Sequence, residues 1–197
     1  MQLSALKNIT LLSSDVTKPE QIKSTVEKAI ALGDIDVVFN NAGYGLAGPL
    51  EGTTDAQLVR QIDTNLLDVI RVTQAFIPHF RAKKSGLFIT TTSIGGLIAL
   101  LPGGIHTDFI NRSLDMGQHE AYDALVGQVL EVFIDPARTA NFSTAEQIAE
   151  VVYEAATDGK DQLRYLAGED AKDYYVQRQQ VGDEAFRKGV GQAFFGE

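Results

Sequence analysis

The stretch Asp34-Ile-Asp-Val-Val-Phe-Asn-Asn-Ala-Gly43 limits what this chain can fold into more than any other. Ile35, Val37, Val38 and Phe39 make a β-branched and aromatic run without helical spacing, bounded by Gly33 and Gly43, which predicts a buried strand of a parallel sheet. Ligands of open α/β sheets sit beyond the carboxyl ends of strands, so Asn40, Asn41, Ala42 and Gly43 fall on the expected binding edge. Upstream, residues 8–14 read as a strand. Thr17 and Glu20 have capping-box spacing with Pro19 in the first turn, and Ile22, Val26, Ala29 and Ile30 then recur at helical spacing. A strand, helix and strand in this order predict parallel pairing with a right-handed crossover.

Downstream, a helix is expected from Thr54, with Leu58, Ile62, Leu66, Ile70 and Thr73 on one face and an end or kink at Pro78. Residues 86–92 read as a second buried strand and 163–167 as a short one. Residues 109–114 and 120–133 look helical, Ser143 and Glu146 form a second capping box, and residues 171–195 finish as polar helix. No repeat or linker divides the 197 residues, which suit one α/β domain over 1–197.

Composition excludes several classes. With a net charge of −9 and no basic cluster, neither nucleic acid nor an anionic membrane surface is an expected partner. The absence of cysteine rules out a disulfide framework, a thiolate metal site and a cysteine nucleophile, and it fits a reducing, cytoplasmic setting. Neither a leader segment nor an apolar run of bilayer-spanning length is seen. His119-Glu-Ala-Tyr-Asp123 begins like HExxH but has no second histidine, so no metal is expected, and Ser93 is not in the GxSxG elbow of hydrolases. Gly43-Tyr-Gly-Leu-Ala-Gly48 matches GxGxxG after a strand. Pro49 and Gly52 delay any helix until about Thr54, however, so no helix N-terminus faces a phosphate there.

The Asn40-Asn-Ala-Gly43 strand end, preceded by Asp15-Val16 and followed in order by Asn65, Thr92-Ser-Ile-Gly95 and Pro102-Gly-Gly-Ile-His-Thr107, resembles the short-chain dehydrogenase/reductase family. The resemblance implies a Rossmann-like, doubly wound parallel sheet, NAD or NADP as cofactor, and a small-molecule alcohol or carbonyl substrate; a homo-oligomer is possible. By the same resemblance Asp15 and Val16 contact the adenine, and Asn41, Ala42 and Gly43 lie against the adenine-side ribose. Pro102, Gly103, Ile105 and Thr107 seat the nicotinamide carboxamide, Ser93 orients the carbonyl, and Asn65 holds a water of a proton relay. Read without the family, Asp15 is a turn and cap residue, Asn65 caps a kink or faces solvent, Ser93 is structural, and Pro102-Gly103 is a turn.

Two pieces of the family pattern are missing from the sequence. The glycine loop of the family's first strand is absent, and the first identifiable strand resembles the family's third. Only eight residues separate Ser93 from Pro102, too few for the tyrosine and lysine expected there, and none of the six tyrosines has lysine four positions on. Tyr174 with Arg178 comes nearest, in a polar helix read as surface. The sheet is therefore expected to be incomplete, with unpaired backbone and apolar surface exposed. Omitted segments of a longer protein or a real deletion would each produce this pattern, and a non-catalytic binding or scaffold descendant of the family is the alternative function. Phe109, Ile110, Leu114, Met116 and Leu125 suggest an apolar lid for a hydrophobic alcohol or ketone, although core packing explains them equally well. The choice between NAD and NADP rests on a second strand that is not in the sequence.

Overall fold

The computed structural model describes residues 6–93 and 104–195; the expected site residues Pro102 and Gly103 lie outside them. The chain divides into two compact units, Met1–Tyr44 with Ala56–Thr90, and Gly45–Asp55 with Thr91–Glu197.

The first unit is built on the predicted central strand. Helix α1 (Pro19–Leu32) leads to strand β1 (Val37–Asn40), and β1 pairs in parallel with β3 (Leu87–Thr90), Val38 opposite Phe88 and Asn40 opposite Thr90. Between the strands run α2 (Asp55–Ile62), a π-helical turn (Asp63–Leu67) and α3 (Asp68–Lys83). Ile22 and Val26 of α1, Val38 of β1, and Phe76 and Phe80 of α3 are buried together, with Ile35, Val72, Ala75 and Phe88 packed around them. Each such side chain contributes about 1.5–3 kcal/mol of burial.

Pro78 neither ends nor divides α3, which continues to Lys83 and closes on Lys84 in the left-handed conformation. The last turn is held by tertiary bonds. The Ile35 amide donates to His79 Nε2 (3.2 Å), and Lys83 Nζ donates to the Ile35 carbonyl (3.3 Å) and pairs with Asp36. The long helix also buries a different face from the one expected. Leu58, Ile62, Leu66 and Ile70 stay exposed, while Asp68, Phe76 and Phe80 go inside.

Two predicted strands do not form. Residues 8–14 and 163–167 have no strand partner among the described residues, and Leu11 (58%) and Leu163 (89%) are exposed. A strand is stable only beside another, and neither segment lies against an edge of the two-stranded sheets that form. The first capping box is likewise absent: α1 starts from Lys18 without a side-chain cap, because Thr17 is turned to Asp15.

Asp68 is 2% exposed, and its carboxylate accepts from the Val69 amide. Burial holds this carboxyl above its ordinary range, against the smaller opposing effect of that bond. The folded state thus binds the proton more tightly than the unfolded chain. The group favours folding below about pH 4, and that contribution is lost as pH rises through the folded value. Asp68→Asn is expected to flatten the decline of stability just above this range in urea titrations at stepped pH; an unchanged pH slope would contradict the assignment.

In the second unit β2 (Gly45–Ala47) pairs in parallel with β4 (Leu114–Met116), a pair the sequence did not suggest. The glycine-rich loop serves this pairing. Gly48 has φ +115°, and a Cβ there would lie 2.3 Å from the Gly117 carbonyl oxygen, so only glycine fits the crossing. Helices α4 (Phe109–Arg112), α5 (Asp123–Ile134), α6 (Pro136–Thr139) and α7 (Ala145–Thr157) follow. The capping box of α7 is Thr144 with Gln147, one residue beyond the predicted pair. The polar C-terminal helix is two, α8 (Glu169–Val181) and α9 (Asp183–Phe195), broken at Gly182 with φ +79°. Tyr174 is half-buried rather than surface, its hydroxyl accepting from Arg138 (3.2 Å) and its ring edge-on to Phe186. Among the described residues no helix is long and apolar enough to cross a membrane.

Candidate cofactor-binding and catalytic site

In the first unit the carboxyl end of β1 turns outward at Asn40. Asn40 is 8% exposed, and its Nδ2 has no hydrogen-bond partner among the described residues. Asn41, Ala42 and Gly43 are exposed beyond it. The next residue, Tyr44, is gripped at both backbone groups by one side chain. Its amide donates to Asn65 Oδ1 (3.0 Å), and Asn65 Nδ2 donates to its carbonyl (2.7 Å). A Cβ on Gly43 would lie 3.1 Å from Asn65 Oδ1, so glycine lets the turn sit close under the amide. Arg60 completes the clamp, its guanidinium 4.8 Å from the Tyr44 ring centroid and its Nε donating to the hydroxyl (3.2 Å).

Asn65 lies in the π-helical turn Asp63–Leu67, which is flanked by an Arg71–Asp63 ion pair of 2.6 Å. Such one-turn bulges recur at functional sites because the extra residue swings backbone groups out of register. Nothing local to Tyr44 or Arg60 in the sequence signals a clamp that spans 21 positions.

Asp15 and Val16 form the turn before α1. The Asp15 carboxylate accepts from the Thr17 hydroxyl (2.7 Å) and amide (2.9 Å), while its own amide donates to Gln21 Oε1 (2.8 Å). The Thr17 bonds hold this exposed carboxyl below its usual range, so it is a carboxylate at neutral pH.

In the second unit Ser93 is exposed, three residues after the end of β3. Ile105 and Thr107 share one exposed segment. It is fixed by a parallel bridge from Ile105 to Ser143, a bond from the His106 amide to the Ser143 carbonyl (2.8 Å), and one from the Thr107 amide to the Ile105 carbonyl (2.8 Å). Phe109, Ile110 and Leu125 are about two-fifths exposed, at 43%, 45% and 43%.

Two other tyrosines have the opposite electrostatic setting to an acid/base tyrosine beside a lysine. The Tyr122 phenol donates to Glu51 (3.0 Å), which raises its pKa. Tyr165 is raised first by burial and then by donation to Asp158. A carboxylate partner disfavours the phenolate, the reverse of what a neighbouring lysine does.

Each unit, taken by itself, presents exposed groups of a kind that a nicotinamide dinucleotide takes. An exposed turn with a glycine is open to a ribose in the first unit, and an exposed backbone segment with a threonine hydroxyl is open to a carboxamide in the second. The phosphates are less well served, since residues 45–52 form β2 and the 3-10 turn Leu50–Gly52, and not a helix N-terminus.

The short chain dehydrogenase family profile matches residues 2–104. An uncharacterized oxidoreductase of Schizosaccharomyces pombe is 32% identical over an alignment of 229 positions that covers 96% of each chain. That alignment is longer than the chain's 197 residues, so it passes over stretches of the other protein that have no counterpart here. A solved short-chain dehydrogenase from Streptomyces avermitilis superposes with a TM-score of 0.72 over 92% of this chain and 77% of its own, at 21% identity. ElxO with NADP bound superposes at 0.57 over 80% of this chain and 74% of its own, at 20% identity. The fold is thus the Rossmann-like α/β arrangement of these proteins, and its sheets among the described residues are two-stranded.

Proposed function

The chain belongs to the short-chain dehydrogenase family, and on that premise we propose that it binds NAD or NADP as one cytoplasmic catalytic domain and moves a hydride between the nicotinamide and a small alcohol or carbonyl compound. The observation that carries this reading is the two-bond grip of Asn65 on Tyr44, which fixes the Asn41–Gly43 turn at the strand end where such a cofactor lies. The NADP of ElxO, a protein of like fold, supports the choice of cofactor class.

When bound, the nicotinamide supplies or accepts the hydride. Asp15 and the Asn41–Gly43 turn hold the adenosine end, and Ile105 and Thr107 hold the carboxamide. Ser93 donates its hydroxyl proton as a hydrogen bond to the carbonyl oxygen and stabilises the negative charge growing there. Asn65 serves the relay through its position in the bulged turn, because both polar atoms of its side chain are committed to Tyr44. The sequence has no tyrosine–lysine pair after Ser93, so the alkoxide would take its proton from solvent water, which leaves as hydroxide. A positioned general acid contributes about 10²–10⁴-fold, so turnover is expected to be slower by that order than with a tyrosine and lysine in place.

Titration of NADH and NADPH fluorescence tests the reading: saturable binding is expected for one of them. Asn65→Ala removes two bonds of about 0.5–1.5 kcal/mol each. It is expected to weaken that binding about tenfold. Failure of the unaltered chain to bind either nucleotide would overturn the proposal.

A further inference from the structure

We propose that Asp170 is a positioning residue for the nicotinamide end of the cofactor, acting through the Gly104–Thr107 segment; this rests on the function proposed above. Asp170 is the second residue of α8. One carboxylate oxygen caps its own helix, accepting from the Ala171 amide (2.9 Å), and the other accepts from the Gly104 amide (2.6 Å), 66 residues away in sequence. The Gly104 carbonyl is taken in turn by the Ser143 amide (3.1 Å), and Ser143 is 6% exposed. Both backbone groups of Gly104 are therefore fixed from different parts of the chain.

The joint has no spare room. A Cβ on Gly104 would lie 2.0 Å from the Phe142 ring. Gly168, at φ +101°, could not carry a Cβ either, since it would stand 2.7 Å from Asp170 Oδ1 and 2.8 Å from Ser143 Oγ. The Gly104 and Ala171 amides thus meet on one carboxylate, with Gly168 directly beside it. A charge-assisted bond of this kind is about twice as strong as a neutral one, and here it anchors the end of a segment whose next residues, Ile105 and Thr107, are exposed. The carboxylate touches no expected ligand position itself. Its effect is to set where the Ile105 backbone and the Thr107 hydroxyl stand.

The test compares ligands with and without the nicotinamide. NADH or NADPH, whichever binds, is titrated beside ADP-ribose or its 2′-phosphate, which keep the adenosine end and lack the ring. Asp170→Ala loses a bond worth about tenfold in affinity or more. It is expected to weaken the dinucleotide by that factor and to leave the ADP-ribose compound unchanged. Asp170→Asn retains one acceptor oxygen and recovers part of the difference. Hydrogen exchange gives a second readout: the Gly104 and His106 amides are expected to exchange faster in Asp170→Ala, and the α9 amides at the unaltered rate. Equal weakening of both ligands would make Asp170 merely structural and overturn the inference. So would an unaltered dinucleotide affinity, or an unaltered chain that binds ADP-ribose as tightly as the dinucleotide. If the unaltered chain binds none of these ligands, the proposed function itself fails and takes the inference with it.

Discussion

Phe80→Ala is expected to remove about 3–5 kcal/mol of stability, the usual cost of truncating a large buried aromatic. Phe80 is 8% exposed, and its ring lies 4.9 Å from that of Phe88 and 6.2 Å from that of Phe76. The backbone of Gly86 passes directly against it, where a Cβ would stand 2.2 Å from the ring. Strand β3 is thereby held to α3, and β1 lies beside β3. Domains of ordinary stability have about 5–15 kcal/mol in total, so one substitution takes a large share from a core this small. Leu58→Ala, on the same long helix but 40% exposed, is expected to cost less than about 1 kcal/mol. Urea unfolding of the two variants decides the matter, and equal losses would mean that the packed face of the helix has been misassigned.

Ser93→Ala carries the largest expected effect on chemistry. Removing one preorganised donor from a developing oxyanion costs about 10²–10³ in rate, whereas a hydroxyl directed at the substrate contributes little to holding the dinucleotide. Single-turnover oxidation of the reduced cofactor is expected to slow by that factor in Ser93→Ala with nucleotide affinity unchanged. Ser93→Thr, which keeps a hydroxyl, should recover part of the rate. Loss of affinity in step with loss of rate would show that the serine supports the fold and not the carbonyl.

The central strand was legible because the signal was local, an apolar run bounded by glycines and ending in two asparagines, although Phe39 stays 41% exposed where a wholly buried strand was expected. The rejection of the Gly43–Gly48 loop as a phosphate cradle was legible for the same reason. Pro49 and Gly52 keep the helix from starting before Asp55. The strands expected at 8–14 and 163–167 depend on neighbours in space, which no local pattern reports. The long helix misled because it is apolar on two faces. Ile70 and Ile77 lie on one and remain exposed, while Val72, Phe76 and Phe80 lie on the other and meet the sheet. Apolar surface left in this way agrees with sheets of only two strands among the described residues. The clamp on Tyr44 and the carboxylate joint at Gly104 bring together residues 21 and 66 positions apart, and only the folded chain shows them.

The most direct measurement follows the hydride itself. The chain is incubated with reduced nicotinamide cofactor deuterated at C4 and a panel of apolar ketones and aldehydes, and the products are analysed by mass spectrometry. Slow turnover does not hide the result, because label accumulates. Deuterium is expected on the carbinol carbon of at least one product, diminished in Ser93→Ala. Bound cofactor with no label in any product would contradict it, and would turn the chain into a binding protein that has kept the family's fold without its reaction.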